Sequence, residues 1–67
     1  MADTVGNAVY ELRKTKHVTQ EEIADAVGVT RQTIIAIEKG NYTPSVSLAL
    51  KLAAFFEKPV EKIFFLV

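Results

Sequence analysis

The chain has 67 residues, with eight basic and eight acidic side chains and no cysteine. This length allows one small domain, which buries only about 60% of the surface that its unfolded chain exposes, and the absence of cysteine excludes disulfides and thiolate metal sites. The single histidine, His17, is flanked by residues that do not bind metals. No metal centre is therefore expected, and a second subunit is the remaining source of buried surface.

The formal net charge of zero and the pI of 6.6 argue weakly against nucleic-acid binding, because a basic domain is the usual electrostatic footprint. Only the charge on the binding face matters to phosphate, however, so this class stays open. The first ten residues, MADTVGNAVY, lack the basic lead and long apolar run of a signal peptide. No apolar run approaches the roughly 20 residues that span a bilayer, and we expect a cytoplasmic protein that does not enter membranes.

Two helices are predicted in the first half of the chain. Residues 7–16 form the first, with Val9 on its inner face, Val5 as a possible extension and the charged run RKTKH at its end. The second begins at Thr19, because TQEE has the spacing of a capping box. Gly28 ends it, since glycine adopts positive φ without strain.

Two more helices and a short terminal segment follow. Thr30 is a good N-cap for a third helix that runs to about Lys39, and Gly40 ends it. Ser45 or Thr43 caps a fourth helix, whose inner stripe is Leu48, Ala49, Leu52, Ala53 and Phe56. The last residues, VEKIFFLV, form either a short fifth helix or a helical turn that runs into an extended tail. No segment is predicted to be an internal strand, so the predicted fold class is all-α.

The second and third helices have the spacing of a helix-turn-helix. Gln20, Ala24 and Gly28 recur every four residues, so they stack along the side of the second helix that the third helix crosses. Small side chains at the last two positions let the helices approach closely, and Val29 and Ile34 fill the crossing. A short turn between helices is by itself a weak signal, because any small helical bundle has one.

The third helix, within RQTIIAIEKG, cannot turn all three of its isoleucines toward one core. At about 100° per residue, Ile34 and Ile37 lie about 60° apart, whereas Ile35 lies about 100° from the first and about 160° from the second. If Ile34 and Ile37 face inward, the outward side is formed by Gln32, Ile35, Ala36 and Lys39, with Arg31 at its N-terminal edge. Arginine can bind guanine O6 and N7, and glutamine can bind adenine N6 and N7, so this face suits base reading.

The segment ELRKTKHVTQEEIADAVGVTRQTIIAIEKGNYTPSVSLALKLA, continuing through the short terminal helix, resembles the phage-repressor and Cro type of helix-turn-helix regulators, the xenobiotic-response-element family. The resemblance covers nearly the whole chain. It implies a compact five-helix, lambda-repressor-like DNA-binding domain over residues 1–67, with the motif at about 19–39 and a possible extended tail at about 63–67. In that geometry the second helix of the motif lies in the major groove of double-stranded DNA, and its N-terminal part meets base edges.

The resemblance and the helix wheel together give a set of candidate site residues. Base contacts are assigned to Arg31, Gln32, Ile35 and Ala36. Backbone contacts are assigned, through side chains or helix-end amides, to Thr19, Gln20, Thr30, Thr33, Lys39, Asn41 and Tyr42. The resemblance also implies that Gln20 braces the recognition helix, and that Arg13 and Glu38 form a structural ion pair between the first and third helices.

The apolar end of the chain exceeds what one small core needs. Phe55 lies at the edge of the fourth helix's stripe, and Phe65, Leu66 and Val67 follow two residues that already fill inward positions. Apolar surface of this kind often contacts another molecule, although a disordered or simply wrapped C-terminus is the alternative. We expect a homodimer contact here, because a twofold protein fits a palindromic operator with half-sites about 34 to 36 Å apart.

Three classes of function remain open. The favoured class is a sequence-specific DNA-binding transcriptional regulator, and specifically a repressor. The second is an antitoxin that binds its own promoter while its apolar tail covers a toxin. The third is a protein-bridging module of the same fold, which would show no salt-dependent binding to duplex DNA. An enzyme or a cofactor is not expected, because the sequence has no cysteine, no Ser-His-acid arrangement and no phosphate-binding glycine loop.

Overall fold

The computed structural model describes residues 4–67. The first three residues, on which part of the expectation about a signal peptide falls, lie outside the described residues. The helices are α1 (Val9–Lys16), α2 (Gln20–Val27), α3 (Arg31–Glu38) and α4 (Val46–Phe56). A 3₁₀ turn (Val60–Lys62) follows them, and two strands, β1 (Val5–Asn7) and β2 (Phe64–Leu66), flank the helices in sequence.

The two strands form an antiparallel sheet, so the predicted small helical, lambda-repressor-like domain is present, but it has four helices and a two-stranded sheet rather than five helices and no strand. Glycine at position 6 is a poor helix residue, and the backbone groups of residues 5–7 find their partners at the other end of the chain. Helix α1 consequently begins at Val9 rather than at residue 7. The fifth helix is reduced to the 3₁₀ turn, and the alternative of a helical turn running into an extended tail is confirmed. The register pairs Val5 with Leu66, Gly6 with Phe65, and Asn7 with Phe64.

Side-chain caps fix both the start of α2 and the start of α3. Thr19 accepts a hydrogen bond from the N–H of Glu22 at 3.0 Å, and Glu22 accepts one from the N–H of Thr19 at 2.8 Å, which completes the predicted capping box. Gly28 adopts a left-handed conformation with φ of 78° at the end of α2. Thr30 then accepts from the N–H of Thr33 at 3.3 Å. The chain therefore passes from one helix into the next through a short turn, as predicted.

Helix α4 begins at the second of its two predicted caps. Ser45 accepts a hydrogen bond from the N–H of Leu48 at 3.1 Å, so Ser45 rather than Thr43 is the N-cap. The predicted inner stripe is confirmed for all but Ala49, which is half-buried. None of the helices in the described part of the chain has the length and apolar character needed to cross a bilayer.

One apolar core lies where the four helices and the 3₁₀ turn meet. The predicted inner face of α3 is confirmed, because Ile34 and Ile37 are completely buried. Ile63 enters the same core from the end of the 3₁₀ turn and so anchors the start of β2. The largest fully buried side chains are Val9, Ile23, Ile34, Ile37, Leu52 and Ile63.

Candidate nucleic-acid interface

The outer face of α3 carries the side chains predicted to read bases. Arg31 and Gln32 are exposed at the first turn of the helix, and Ile35 and Ala36 are half-buried one turn later. Lys39, the C-terminal cap of α3, is exposed as well. The core holds the opposite face of the helix, so α3 presents these side chains to the outside on a fixed support.

Several of the predicted backbone contacts lie at helix N-termini. Thr19 and Thr30 are exposed at the starts of α2 and α3, and each side-chain oxygen accepts from a backbone N–H of its own helix. The hydroxyl of Thr33 lies 3.2 Å from that of Thr30. Helix N-termini carry partial positive charge and free N–H groups, which suits contact with an anion such as phosphate.

A polar cluster connects the first three helices behind this surface. Arg13 donates from Nε to Oε2 of Glu38 at 2.6 Å and from a second nitrogen, Nη2, to Oε1 at 3.1 Å, so the predicted ion pair is present and bidentate. Nη1 of Arg13 donates to the carbonyl oxygen of Val18 at 3.2 Å. The hydrogen bonds that Arg13 donates to Glu38 raise the pKa of Arg13 above its ordinary value, against an opposing effect of burial. The arginine therefore stays charged and joins α1 to α3.

Gln20 belongs to the same cluster. Its Nε2 donates to Oε1 of Glu38 at 3.0 Å, so the first residue of α2 braces the last residue of α3. An amide nitrogen has a second N–H and the amide oxygen has free lone pairs. The observed bond to Glu38 thus leaves polar groups of Gln20 available for a contact with the DNA backbone.

An open groove runs from the end of α1 to the N-termini of α2 and α3. Four of its lining residues are not among the predicted site residues, and two of these, Lys14 and His17, are basic. The sequence signal for these two basic residues is the charged run RKTKH at the end of the first helix. The lining residues are Arg13, Lys14, His17, Val18, Thr19, Gln20, Glu21 and Arg31. Basic side chains outnumber the single carboxylate here, although the whole chain is neutral.

The HTH_3 family model, described as Helix-turn-helix, matches residues 9–63. The chain belongs to the helix-turn-helix family. An uncharacterized HTH-type transcriptional regulator of Methanocaldococcus jannaschii is 52% identical over 58 residues, which are 87% of this chain and 88% of that protein. The cryptic phage CTXphi transcriptional repressor RstR of Vibrio cholerae is 34% identical over 82% of this chain and 50% of its own length.

Solved structures agree with this assignment. The restriction-modification controller protein C.AhdI of Aeromonas hydrophila superposes with a TM-score of 0.75 and 30% identity, over 81% of this chain and 82% of that chain. The protein is a transcriptional regulator with a helix-turn-helix DNA-binding fold, and the resemblance to the phage-repressor and Cro type is confirmed. Its homologues are a non-enzymatic DNA-binding family.

In this helix-turn-helix regulator, the loop after α3 forms a recess beside the outer face of the helix. The recess brings together two predicted base-reading residues, Gln32 and Ala36, and three predicted backbone contacts, Thr33, Asn41 and Tyr42. Tyr42 is exposed, so it does not serve as a cover for the core. The recess therefore extends the surface of α3 toward the loop.

The apolar residues predicted to contact a second subunit fall into two groups. Phe65 is 42% exposed and Leu66 is 72% exposed, and Val67 beside them is exposed too. Phe55 instead packs partly against the core, with its ring in an edge-to-face contact 5.2 Å from that of Phe56. Of the four predicted contact residues, the three in the tail are therefore the ones mainly available for a partner.

Helix α4 adds exposed apolar residues that the sequence interpretation missed. Val46 and Leu50 are both exposed and lie four residues apart, on the side of α4 that faces away from its buried stripe. Ala54, four residues further along, is exposed as well. The spacing of four is visible in the sequence, but the inner stripe of the same helix is the stronger pattern and masks it.

Proposed function

We propose that this protein is a sequence-specific transcriptional repressor that reads the major groove of double-stranded DNA with α3 and acts as a homodimer. The observation that carries the proposal is the division of α3 into two faces. Ile34 and Ile37 are completely buried, while Arg31 and Gln32 are exposed at its N-terminal turn. In helix-turn-helix proteins this part of the second helix of the motif meets base edges.

The chemistry of the outer face suggests which base features it reads. The guanidinium of Arg31 can donate two hydrogen bonds to guanine O6 and N7, and the amide of Gln32 can both donate to adenine N7 and accept from N6. The half-buried side chains of Ile35 and Ala36 offer apolar surface to a thymine methyl group. A good bidentate contact contributes about 1 to 3 kcal/mol of discrimination against the wrong base.

Phosphate contacts would set the register of this helix in the groove. Thr19 and Thr30 lie at helix N-termini, Lys39 lies beyond the end of α3, and Tyr42 lies on the loop that follows. Thr33, Gln20 and Asn41 complete the proposed set. The groove that contains Lys14 continues this basic surface toward α1, which supports a backbone path along the two helix starts.

The homodimer and the repressor role complete the proposal. Phe65, Leu66 and Val67 form the proposed contact between subunits, and Phe55 borders it. Two copies related by a twofold axis fit a palindromic operator. A relative named as a transcriptional repressor supports repression as the regulatory outcome, since a dimer bound over a promoter excludes other proteins from the same DNA.

Selection of bound sequences from a random duplex pool tests the reading of bases. Arg31→Ala and Gln32→Ala should each relax preference at individual base positions, at about 1 to 3 kcal/mol per lost contact. Lys39→Ala should weaken binding to all sequences alike. It should also reduce, by about one, the magnitude of the slope of the logarithm of the binding constant against the logarithm of the salt concentration. Lys51→Ala, which removes an exposed lysine of α4, is the matched control and should change neither quantity. Unchanged binding by the Arg31, Gln32 and Lys39 variants would contradict the proposal.

Sedimentation analysis tests the subunit contact. The double variant Phe65→Asp, Leu66→Asp should be monomeric and should bind the selected operator much more weakly, because buried unpaired carboxylates are costly. The double variant Val46→Asp, Leu50→Asp places the same charges on the exposed side of α4 and should stay dimeric. The opposite pattern would move the interface to α4.

A further inference from the structure

Asn7 ends strand β1, and its side-chain amide connects two helices. Its Oδ1 accepts a hydrogen bond from the N–H of Val9, the first residue of α1, at 3.1 Å. Its Nδ2 donates to the carbonyl oxygen of Ile37, in the last turn of α3, at 2.8 Å. One partner is a donor and the other an acceptor, so the amide matches both, whereas a carboxylate can match only the first.

The carbonyl that receives this hydrogen bond lies in the last turn of α3. Gly40, with φ of 79°, donates from its N–H to the same oxygen of Ile37 at 2.9 Å, and Asn41 donates to the carbonyl of Ala36 at 2.9 Å. The last carbonyls of a helix have no partners within it and carry the negative end of its dipole. A donor from outside the helix is therefore favourable here and ties the end of α3 to the side chain of Asn7.

The backbone of Asn7 is tied to the opposite end of the chain. Asn7 pairs with Phe64 in the sheet, and Phe65 and Leu66, the next two residues of β2, form the proposed subunit contact. The N–H of Ala8 also donates to the carbonyl of Ile63 at 2.9 Å. Asn7 thus belongs to the sheet through its backbone and to α3 through its side chain. Both strands lie outside residues 9–63, the part that the helix-turn-helix family model matches.

We propose that Asn7 is a positioning residue that fixes the orientation of α3 relative to the subunit contact, and so sets the half-site spacing that the dimer accepts. This inference rests on the proposed function, because spacing has meaning only for a DNA-binding dimer. Each added base pair rotates one half-site by roughly 35° relative to the other, since a helical turn holds about 10 to 10.5 base pairs. A dimer whose recognition helices are held rigidly discriminates against such a change.

Two substitutions of Asn7 separate its two hydrogen bonds. Asn7→Asp keeps an acceptor for the N–H of Val9 and loses the donor to Ile37, whereas Asn7→Leu loses both at similar size. Lys51→Gln lowers the net charge by the same one unit at an exposed position of α4 and is the matched control. Each protein is titrated with the selected two-half-site operator, with operators longer or shorter by one base pair, and with a duplex in which one half-site is scrambled.

The expected result is a loss confined to the paired half-sites. Asn7→Asp and Asn7→Leu should bind the two-half-site operator about tenfold more weakly than the wild-type protein, which corresponds to about 1.4 kcal/mol. Both should also discriminate less between the three spacings. Binding to the duplex with one intact half-site should change by less than about twofold, a small shift on the same scale, and Lys51→Gln should match the wild type on every duplex.

Two results would overturn the role of Asn7. Unchanged affinity and spacing preference in both variants would do so directly. An equal loss on every duplex, in proportion to the folded fraction measured by circular dichroism, would assign Asn7 a purely structural role. Failure of the proposed function is visible in the wild-type protein alone, which would then show no preference for two half-sites over one.

Discussion

Glu38→Ala removes the acceptor of three hydrogen bonds, two from Arg13 and one from Gln20. The side chains of the ion pair are only 11% exposed for Arg13 and 7% exposed for Glu38. Removing one partner of such a pair typically costs about 3 to 5 kcal/mol, because the other charge remains unpaired. Arg13 lines an open groove and keeps its bond to the carbonyl of Val18. It can therefore recover part of its hydration, and we expect the lower end of that range.

A loss of about 3 kcal/mol is large for this chain, since stabilities of about 0.05 to 0.15 kcal/mol per residue imply a total of roughly 3 to 10 kcal/mol. Urea unfolding followed by circular dichroism, with linear extrapolation, measures the change in the free energy of unfolding. Glu11→Ala removes an exposed glutamate of α1 and should stay within about 0.5 kcal/mol of the wild type. A loss below about 1 kcal/mol for Glu38→Ala would refute the reasoning, because it would mean that Arg13 is solvated without its partner.

Three further predictions follow from individual contacts. Gly6→Ala would place a methyl group 2.7 Å from Cγ1 of Val67 and 2.9 Å from Cε1 of Phe65. The substitution should therefore displace the tail and weaken the dimer, as measured by sedimentation analysis. A dimer of unchanged stability would show that the tail does not form the subunit contact. Ile35→Ser should fold normally but lose the affinity difference between operators with thymine and with deoxyuridine at one position, and a retained difference there would reassign the methyl contact. Hydrogen bonding to Glu38 raises the pKa of Arg13, so the stability that the charged arginine contributes is present below the ordinary arginine pKa and is lost only as the pH rises through the higher pKa of the folded state. The difference in free energy of unfolding between the wild type and Glu38→Ala should therefore stay constant from about pH 7 to about pH 10 in urea titrations. A decline of this difference within that range would contradict the prediction.

Local rules were sufficient to predict the helix-turn-helix from the sequence. The capping box of Thr19, the left-handed Gly28 and the cap at Thr30 depend on residues within a few positions of each other. The inward direction of Ile34 and Ile37 followed from the helical period alone. Because the candidate reading face is the complement of that buried face, its residues could be selected by the same geometry.

The sheet could not be predicted in this way. Each strand has three residues, which is too short for an alternating pattern, and the partner of Val5 is Leu66 at the other end of the chain. The hydrogen bond from Asn7 to Ile37 likewise joins residues that only the folded structure brings together. The sequence around an asparagine does not reveal whether its side chain bonds only to the helix that follows it or also to the end of a distant helix.

The buried ion pair also explains how a neutral chain can offer a basic surface to DNA. Glu38 is the only acidic residue of α3, and its carboxylate is turned inward toward Arg13 and Gln20. The exposed charges at the two ends of the helix, Arg31 and Lys39, are both positive. Since repulsion between a carboxylate and phosphate depends on their separation and on solvent screening, net charge says little about the proposed interface. The position of one carboxylate decides the sign of the charge that α3 presents.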